Sequence, residues 1–529
     1  MWEQCIICAK INGGLSIYMA NSENIIIINC GSQFTQLIAR RLRELKIHSL
    51  ILNWDASCEK VASYSPKGLI ISGGPECVND PDAITIDPEI LSLGCPVLGI
   101  CYGMQLLAKL TGGTVSSGGK PEYGVTEIHT TGESQLLRGI PRNFHVLMSH
   151  GDNVSGLPEG FTAASSTQSG VIASIENPAK KFYGLQFHPE VAHTEHGTEI
   201  LKAFAFGICG CSGDWDLADW VDGTVAGIRE AVGSEKVVCG LSGGVDSSVS
   251  AVLVNRAVGE NLQCVFVNHG LMRKDEPEQV MRQYEALGLN VKYVDASEKF
   301  LSELDGVTDP EQKRKIIGRL FIEVFDEEAA KIEGAKWLLQ GTIYPDVIES
   351  GNKKGAAVIK SHHNVGGLPE HMKLKLLEPL RDLFKDEVRE LGRIIGMPEE
   401  IISRQPFPGP GLAVRCLGAI TKKRLDTLRE ADAIFREELK SAGLYAGIWQ
   451  SFCVLLPVRS VGVMGDSRTY REAVALRAIH SQDAMTAEWV RIDYDVLDRT
   501  AKRICNEVKE INRVVLDITS KPPATIEWE

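Results

Sequence analysis

Short apolar runs alternate with amphipathic segments twice along this chain, and that alternation restricts the folds open to it. The first block has strand-like runs at 25–28, 69–71 and 97–100 and helical patterns at 35–45 and 104–110. The second block has strand-like runs at 237–241, 264–268, 291–294 and 337–340 and helical patterns at 247–257 and 278–287. Such alternation is typical of βαβ units, which build a mainly parallel sheet covered by helices.

The length and the breaks in this pattern predict the domains. A chain of 529 residues is too long for one hydrophobic core. Three prolines within 406–410 cannot continue a helix or a central strand, so a new unit begins there. We predict two successive doubly wound, mainly parallel α/β domains followed by a smaller α+β domain. The predicted segments are an N-terminal extension at 1–22, an α/β domain at 23–207, a linker at 208–222, a second α/β domain at 223–404 and a C-terminal domain at 405–529.

Composition and charge narrow the function classes. The net charge of −13 argues against nucleic acid as a partner, because phosphate-backbone binding needs a positive face. We find neither an apolar run long enough to span a membrane nor a secretory leader, so we expect a cytoplasmic protein with reduced cysteines. The pairs Cys5/Cys8 and Cys209/Cys211 lack the further ligands that a tetrahedral metal site needs.

Cys101 is the first candidate for chemistry. It lies in Gly-Ile-Cys-Tyr-Gly, between an apolar strand and a predicted helix. A thiol on such a sharp turn is exposed, and the helix N-terminus favours its thiolate. A buried structural cysteine is the alternative from this motif alone.

Two further segments favour a nucleophile. His188 and Glu190, in Gln-Phe-His-Pro-Glu, supply a base and a group to orient it. The backbone amide of Gly74, in Ser-Gly-Gly-Pro, could join that of Tyr102 as an oxyanion hole. His193 and His196 are competing bases, but we interpret them as surface histidines. Together these motifs resemble class I glutamine amidotransferases over about 23–207, which implies a Cys101-His188-Glu190 triad that releases ammonia from glutamine.

A second constellation follows the strand at 237–241. Its residues are Ser242, Gly243, Gly244, Val245, Asp246, Ser247 and Ser248. Glycines and hydroxyls at a helix start form an anion cradle, although the lysine of a Walker A loop is missing. The loop resembles that of N-type ATP pyrophosphatases, which implies ATP binding, transfer of AMP to an acceptor oxygen, and Mg²⁺ held by Asp246.

Longer segments resemble the GMP synthetase family over nearly all of 23–529. They include Gly-Thr-Ile-Tyr-Pro-Asp from 341, Lys-Ser-His-His from 360, Val-Gly-Val-Met-Gly-Asp from 461 and the final Lys-Pro-Pro-Ala-Thr-Ile-Glu-Trp-Glu. The resemblance implies a guanine-nucleotide ligase that uses XMP, ATP and glutamine, a homodimer formed through the C-terminal domain, and a mobile lid at Lys360. The XMP contacts that it implies are Arg273, Gln450, Asp466, Lys521, Ile526 and Glu527.

The chain departs from the amidotransferase pattern after its first strand. Asn29 and Cys30 stand where the family usually has Asp-Phe. We expect local hydrogen bonding or packing to change without loss of glutaminase activity. Two other interpretations stay open: a related amidotransferase such as NAD synthetase, and a nucleotide sensor without activity, against which the intact triad argues.

Overall fold

A computed structural model of the chain describes residues 6–11, 14–19, 23–116, 121–351, 374–464, 466–481 and 486–529, and Lys360 lies outside them. Strands β1 (Ile6–Ile11) and β2 (Gly14–Met19) lie within the segment predicted as an N-terminal extension. Backbone contacts divide the chain into two compact units. Unit 1 contains 18–220 with 1–7 and 345–355, and unit 2 contains 221–344 and 356–529 with 8–17.

Unit 1 is built on a nine-stranded sheet in the order β4-β3-β5-β6-β13-β12-β11-β8-β9, with β7 and β10 paired separately. Its strands are β3 (Asn24–Asn29), β4 (His48–Asn53), β5 (Gly68–Ile71), β6 (Val97–Ile100), β7 (Thr114–Ser116), β8 (Glu122–Thr130), β9 (Asn143–His150), β10 (Asn153–Gly156), β11 (Thr162–Thr167), β12 (Ile172–Asn177) and β13 (Phe182–Leu185). Its helices are α1 (Thr35–Glu44), α2 (Cys58–Ser63), α3 (Tyr102–Leu110) and α4 (Gly197–Lys202), and α4 continues as a π-helical stretch at Ala203–Ile208.

The half of this sheet from β4 to β13 is parallel, and the half from β12 to β9 is antiparallel. Every residue of β3 is buried, as expected for a continuous apolar strand covered on both faces. In the parallel half, strands β5, β6 and β13 end side by side. The loops that follow these strands therefore meet at one edge of the sheet.

The boundary between the two units, after Trp220, lies within helix α5 (Leu217–Val232). Beyond it lie β14 (Lys236–Leu241), α6 (Val245–Val258), β15 (Leu262–Asn268), α7 (Glu276–Ala286), β16 (Val291–Asp295), α8 (Ser297–Glu303), α9 (Pro310–Ala329), β17 (Ala335–Leu339), α10 (Tyr344–Gly351), β18 (Lys375–Leu377), α11 (Lys385–Ile394) and α12 (Glu399–Ile402). The seven-stranded sheet has the order β1-β2-β18-β17-β14-β15-β16 and is parallel from β2 to β16.

The remaining elements form a four-stranded sheet covered by two helices. They are α13 (Lys422–Ser441), β19 (Gln450–Met464), β20 (Ser467–His480), β21 (Glu488–Trp489), α14 (Tyr494–Glu507) and β22 (Ile511–Leu516). One hydrophobic core runs from Val238 and Val265 of the parallel sheet to Phe435, Leu455 and Leu476 of this part. Because they share this core, the C-terminal part and the second α/β sheet belong to the same compact unit, unit 2.

The predicted fold class is confirmed, because two large, mainly parallel or half-parallel sheets precede a smaller α+β part. Among the described residues, no helix is both long and apolar enough to cross a lipid bilayer.

Candidate active sites

Cys101 lies on a strained turn between β6 and α3. Its backbone has φ 53° and ψ −108°, a conformation that residues other than glycine rarely adopt. Gly103 makes the turn possible, because a Cβ there would lie 2.1 Å from the carbonyl oxygen of Ile71. The turn therefore places Cys101 at the edge where β5, β6 and β13 end, but the residue is only 5% exposed, so the expected exposure of its thiol is wrong.

The structure brings His188 and Glu190 to this sulfur. The Nδ1 atom of His188 lies 2.8 Å from Oε1 of Glu190, and both side chains are buried. The Cys101 sulfur lies close enough to the His188 ring to raise the pKa of that imidazole. Arg41 donates to the Glu190 carbonyl at 3.1 Å, and Thr194 donates to the His188 carbonyl at 2.6 Å, so the loop that carries the pair is fixed from two sides.

The electrostatics of this trio favour a charged imidazole. Burial alone lowers the pKa of His188, but the Glu190 carboxylate, the Cys101 sulfur and the hydrogen bond with Glu190 outweigh burial and raise the pKa to about 10. His188 therefore keeps its second proton through neutral pH and loses it only as the pH approaches about 10. A protonated imidazole beside a sulfur stabilises the thiolate that a nucleophile needs.

Replacing Glu190 by Gln tests this arrangement. Without the carboxylate the pKa of His188 falls, so we expect the alkaline limit of glutamine hydrolysis to move to lower pH, and the rate to drop by up to about 10⁴-fold. The measurement is kcat/KM for glutamine across the neutral and alkaline range. Glu195→Gln is the matched control, because Glu195 lies 3.4 Å from His145 in a half-exposed pair. An unchanged alkaline limit in Glu190→Gln would contradict the assignment.

Gly74 and Tyr102, the predicted oxyanion donors, lie on chain segments in contact. A Cβ on Gly74 would lie 3.2 Å from the Tyr102 ring and 2.6 Å from the Cys30 carbonyl oxygen. Tyr102 is the first residue of α3, where backbone N–H groups have no partner within the helix. The competing histidines, His193 and His196, are both exposed.

Sequence reasoning did not assign two buried glutamines, of which Gln186 lies next to the sulfur and Gln105 lies next to Gln186. Gln186 Nε2 lies 3.8 Å from the Cys101 sulfur, and Gln105 Nε2 lies 3.3 Å from the side-chain oxygen of Gln186. Gln105 also donates to the Asp152 carbonyl at 2.8 Å, and the Cys101 thiol faces the Ser149 carbonyl at 3.6 Å. Gln186 begins the Gln-Phe-His-Pro-Glu motif and Gln105 follows Cys101 by four positions, so nearness in sequence to Cys101 and His188 was the available signal.

Asn29 fixes the turn into α1 through its side-chain oxygen. Its side-chain oxygen accepts from the Gly31 N–H at 2.9 Å and from the Thr35 hydroxyl at 3.0 Å. An amide oxygen can accept hydrogen bonds as a carboxylate oxygen does, so Asn29 is chemically able to fill the acceptor role open to an aspartate at this position. The adjacent Cys30 is fully buried, and burial raises the pKa of its thiol to about 12.

The loop at 242–248 connects β14 to α6 in unit 2. Gly244 is the residue before α6 and makes no side-chain cap, so the N–H groups of the first helical turn stay available to an anion. Ser242 and Ser247 lie 3.1 Å apart through their hydroxyls, and Ser242 Oγ accepts from the Gly244 N–H at 3.3 Å. The loop therefore has the open helix start that the predicted phosphate cradle requires, and ATP binding there stays a prediction.

Asp246 fits the predicted Mg²⁺ contact in its chemistry. One carboxylate oxygen pairs with Lys385, and the other, Oδ1, is buried without a hydrogen-bond partner among the described residues. Within the same described part of the chain, no cluster of three or more His, Cys, Asp or Glu side chains could hold a metal by itself. This suits Mg²⁺, which commonly binds through one or two carboxylates and the phosphates of its substrate.

Three of the predicted XMP contacts converge near the C-terminus. Glu527 accepts from Gln450 at 3.0 Å and forms a two-bond pair with Arg415, at 3.0 and 2.7 Å. The Ile526 carbonyl accepts from Arg477 at 2.7 Å. Arg415 and Arg477 were not predicted, because a single arginine without a motif looks like a surface charge.

The other three predicted XMP contacts are placed differently. Arg273 is buried, lies 3.3 Å from Asp432 and stacks on Phe407, so its guanidinium is already engaged. The Lys521 backbone pairs with that of Ala487. Asp466 lies at the tip of the β19–β20 hairpin, about 45 Å along the strand from Gln450, because an extended strand rises roughly 3.3 Å per residue. The structure does not bring Asp466 to the Glu527 cluster within one chain.

Comparison with known proteins identifies the families that match each part of the chain. Residues 26–208 match the family "Glutamine amidotransferase class-I", residues 217–316 match "NAD synthase", and residues 437–528 match "GMP synthase C terminal domain". A protein of Aquifex aeolicus named "GMP synthase [glutamine-hydrolyzing]" is 55% identical over 505 residues, which is 96% of this chain and 99% of that protein. The chain belongs to the glutamine-hydrolysing GMP synthase family.

Further GMP synthases match over the same span. That of Brachyspira hyodysenteriae is 54% identical over 511 residues, with 96% of this chain and 99% of that protein covered. That of Geobacillus kaustophilus is 55% identical over 510 residues, with 96% of this chain and 100% of that protein covered. The predicted GMP synthase resemblance and the predicted glutamine-dependent ligase class are therefore confirmed.

Proposed function

We propose that this chain makes GMP from XMP, with glutamine as the nitrogen donor and ATP as the activating substrate. Glutamate, AMP and pyrophosphate are the other products, and the reaction belongs to guanine nucleotide biosynthesis. One observation carries the proposal: a chain matched along its length by GMP synthases holds both an assembled Cys-His-Glu trio and an anion cradle at a helix start.

In the first half-reaction, the Cys101 thiolate attacks the side-chain carbonyl carbon of glutamine. The N–H groups of Gly74 and Tyr102 stabilise the oxyanion that forms. His188 then gives its proton to the departing nitrogen, and ammonia leaves a thioester on the sulfur. His188, now neutral and held by Glu190, takes a proton from water, which attacks the thioester and releases glutamate.

In the second half-reaction, the acceptor oxygen of XMP attacks the α-phosphorus of ATP. The bond to pyrophosphate breaks, AMP is attached to XMP, and ammonia then displaces AMP with loss of a proton. The 242–248 loop binds and orients the phosphates through N–H groups at the start of α6. Mg²⁺, when bound, neutralises phosphate charge, and Asp246 is the side chain that we propose to hold it.

The C-terminal residues supply the proposed XMP site. Gln450, Ile526 and Glu527 already lie together, and the Glu527 carboxylate can accept N–H groups of a purine ring. The proposed homodimer is supported by apolar side chains exposed on the β19–β20 hairpin, where Val461 lies directly opposite Tyr470. A cytoplasmic location is proposed from the requirement that Cys101 stay reduced.

NAD synthesis is the second candidate, because 217–316 match the "NAD synthase" family. The two candidates differ in the acceptor that triggers ATP cleavage. We expect purified protein with ATP, Mg²⁺ and ammonia to release AMP when XMP is added and not when deamido-NAD is added. Release of AMP with deamido-NAD alone would reject GMP synthesis.

A further inference from the structure

Gly243, in the proposed ATP-binding loop, is held through both of its backbone polar groups. Gly243 has φ +76°, the left-handed region that favours glycine. Its N–H donates to the Tyr284 hydroxyl at 3.1 Å, and its carbonyl accepts from Nη1 of Arg404 at 2.7 Å. Both polar groups of this glycine are therefore engaged by side chains from outside the loop.

Tyr284 must both accept and donate to make these contacts. Ser248 donates its hydroxyl proton to the Gly244 carbonyl at 2.7 Å, and the same Ser248 oxygen lies 3.1 Å from the Tyr284 hydroxyl. Since that serine proton is used, the tyrosine proton is the one that joins Tyr284 to Ser248. Tyr284 is 1% exposed, so no water replaces the hydroxyl if it is removed.

Arg404 is itself fixed before any ligand arrives. One end of its guanidinium meets the Gly243 carbonyl, and the other forms an ion pair with Glu276. The second carboxylate oxygen of Glu276 accepts a hydrogen bond from the backbone N–H of Arg273 at 2.8 Å. Because the charge of Arg404 is balanced and its side chain is only 18% exposed, Arg404 is poorly placed to bind a phosphate directly.

We infer that Tyr284 and Arg404 are positioning residues for ATP. These two side chains hold the backbone of Gly243, so that the N–H groups of the following helical turn face the phosphates. The inference rests on the proposed function of the 242–248 loop. It deepens that function by separating the residues that shape the loop from those that touch ATP.

The test is equilibrium binding by calorimetry of an ATP analogue with a methylene group between the α and β phosphates, in the presence of Mg²⁺. We expect Tyr284→Phe to weaken analogue binding by about tenfold or more, because Gly243 N–H and Ser248 both lose a buried partner. Arg404→Met should weaken binding at least as much, with Arg404→Lys intermediate. Binding of XMP should be unchanged in Tyr284→Phe.

Tyr293→Phe is the matched control. Tyr284 and Tyr293 both pack against Phe266, at 6.4 and 6.1 Å between ring centroids, and the Tyr293 hydroxyl accepts from Asn268 at 2.9 Å. Its loss should leave analogue binding unchanged. Thermal unfolding of every variant separates a local effect from a damaged fold.

Unchanged analogue binding in Tyr284→Phe, with the wild type binding normally, would overturn this inference and leave the proposed function intact. An equal loss of analogue and XMP binding would overturn it also, because it would show general damage. Failure of the wild type to bind the analogue would overturn the proposed function and this inference together.

Discussion

Cys101→Ala is expected to abolish glutamine-dependent GMP formation while ammonia-dependent GMP formation continues. In the proposed mechanism the Cys101 sulfur forms the covalent bond to the substrate. Its removal should therefore lower the glutamine-dependent rate by about 10⁴-fold or more. Free ammonia bypasses that step, and the residues proposed for ATP and XMP all lie in unit 2. The measurement is the rate of GMP formation with each nitrogen source.

Cys58→Ala is the control for this prediction. Cys58 is a free, partly exposed cysteine of the same unit at the start of α2, and its loss should leave both rates unchanged. If Cys101→Ala loses the ammonia-dependent reaction as well, while keeping its fold, the separation of the two chemistries would be wrong.

Glu527→Gln is expected to weaken XMP binding and to slow the synthetase reaction with either nitrogen source. Arg415 is fully buried between the Phe407 and Phe452 rings, and Glu527 is the carboxylate that neutralises it. Gln cannot balance the buried charge of Arg415 and is a weaker acceptor for purine N–H groups; loss of a hydrogen bond to a charged group costs about 1.5–3 kcal/mol, so we expect XMP binding to weaken by about tenfold or more. XMP titration of AMP release measures the effect.

A surface pair provides the control for Glu527. Glu510 lies 3.4 Å from Lys423, with both side chains solvent-accessible, and such pairs contribute about 1 kcal/mol or less. Glu510→Gln should therefore leave XMP binding unchanged. A Glu527→Gln variant with wild-type XMP binding would remove the C-terminal cluster from the proposed site.

The parts of the sites that the sequence predicted are those with a local pattern. The turn at Cys101 follows from a strand, flanking glycines and a helix, and Gly103 leaves no room for a side chain. His188 and Glu190 are two residues apart, so one loop carries both. The 242–248 loop similarly needs only a strand end and a helix start.

The remainder depends on contacts between residues distant along the chain. Arg415 and Glu527 are separated by 112 positions, and Tyr284 and Gly243 by 41, so no local period relates them. Arg273 is a mixed case: the resemblance named it as an XMP contact, which stays a prediction, and only the structure shows its guanidinium against Asp432 and over the Phe407 ring that Arg415 also contacts. The predicted domain boundaries stay predictions. The C-terminal part shares a hydrophobic core with the second α/β sheet, and no local sequence pattern indicates that packing.

Incubation of the purified protein with XMP, ATP, Mg²⁺ and glutamine labelled with ¹⁵N in its side-chain amide tests the central claim most directly. We expect ¹⁵N in the exocyclic amino group of GMP, with AMP, pyrophosphate and glutamate formed in equal amounts. Unlabelled product, or release of ADP in place of AMP, would contradict the account.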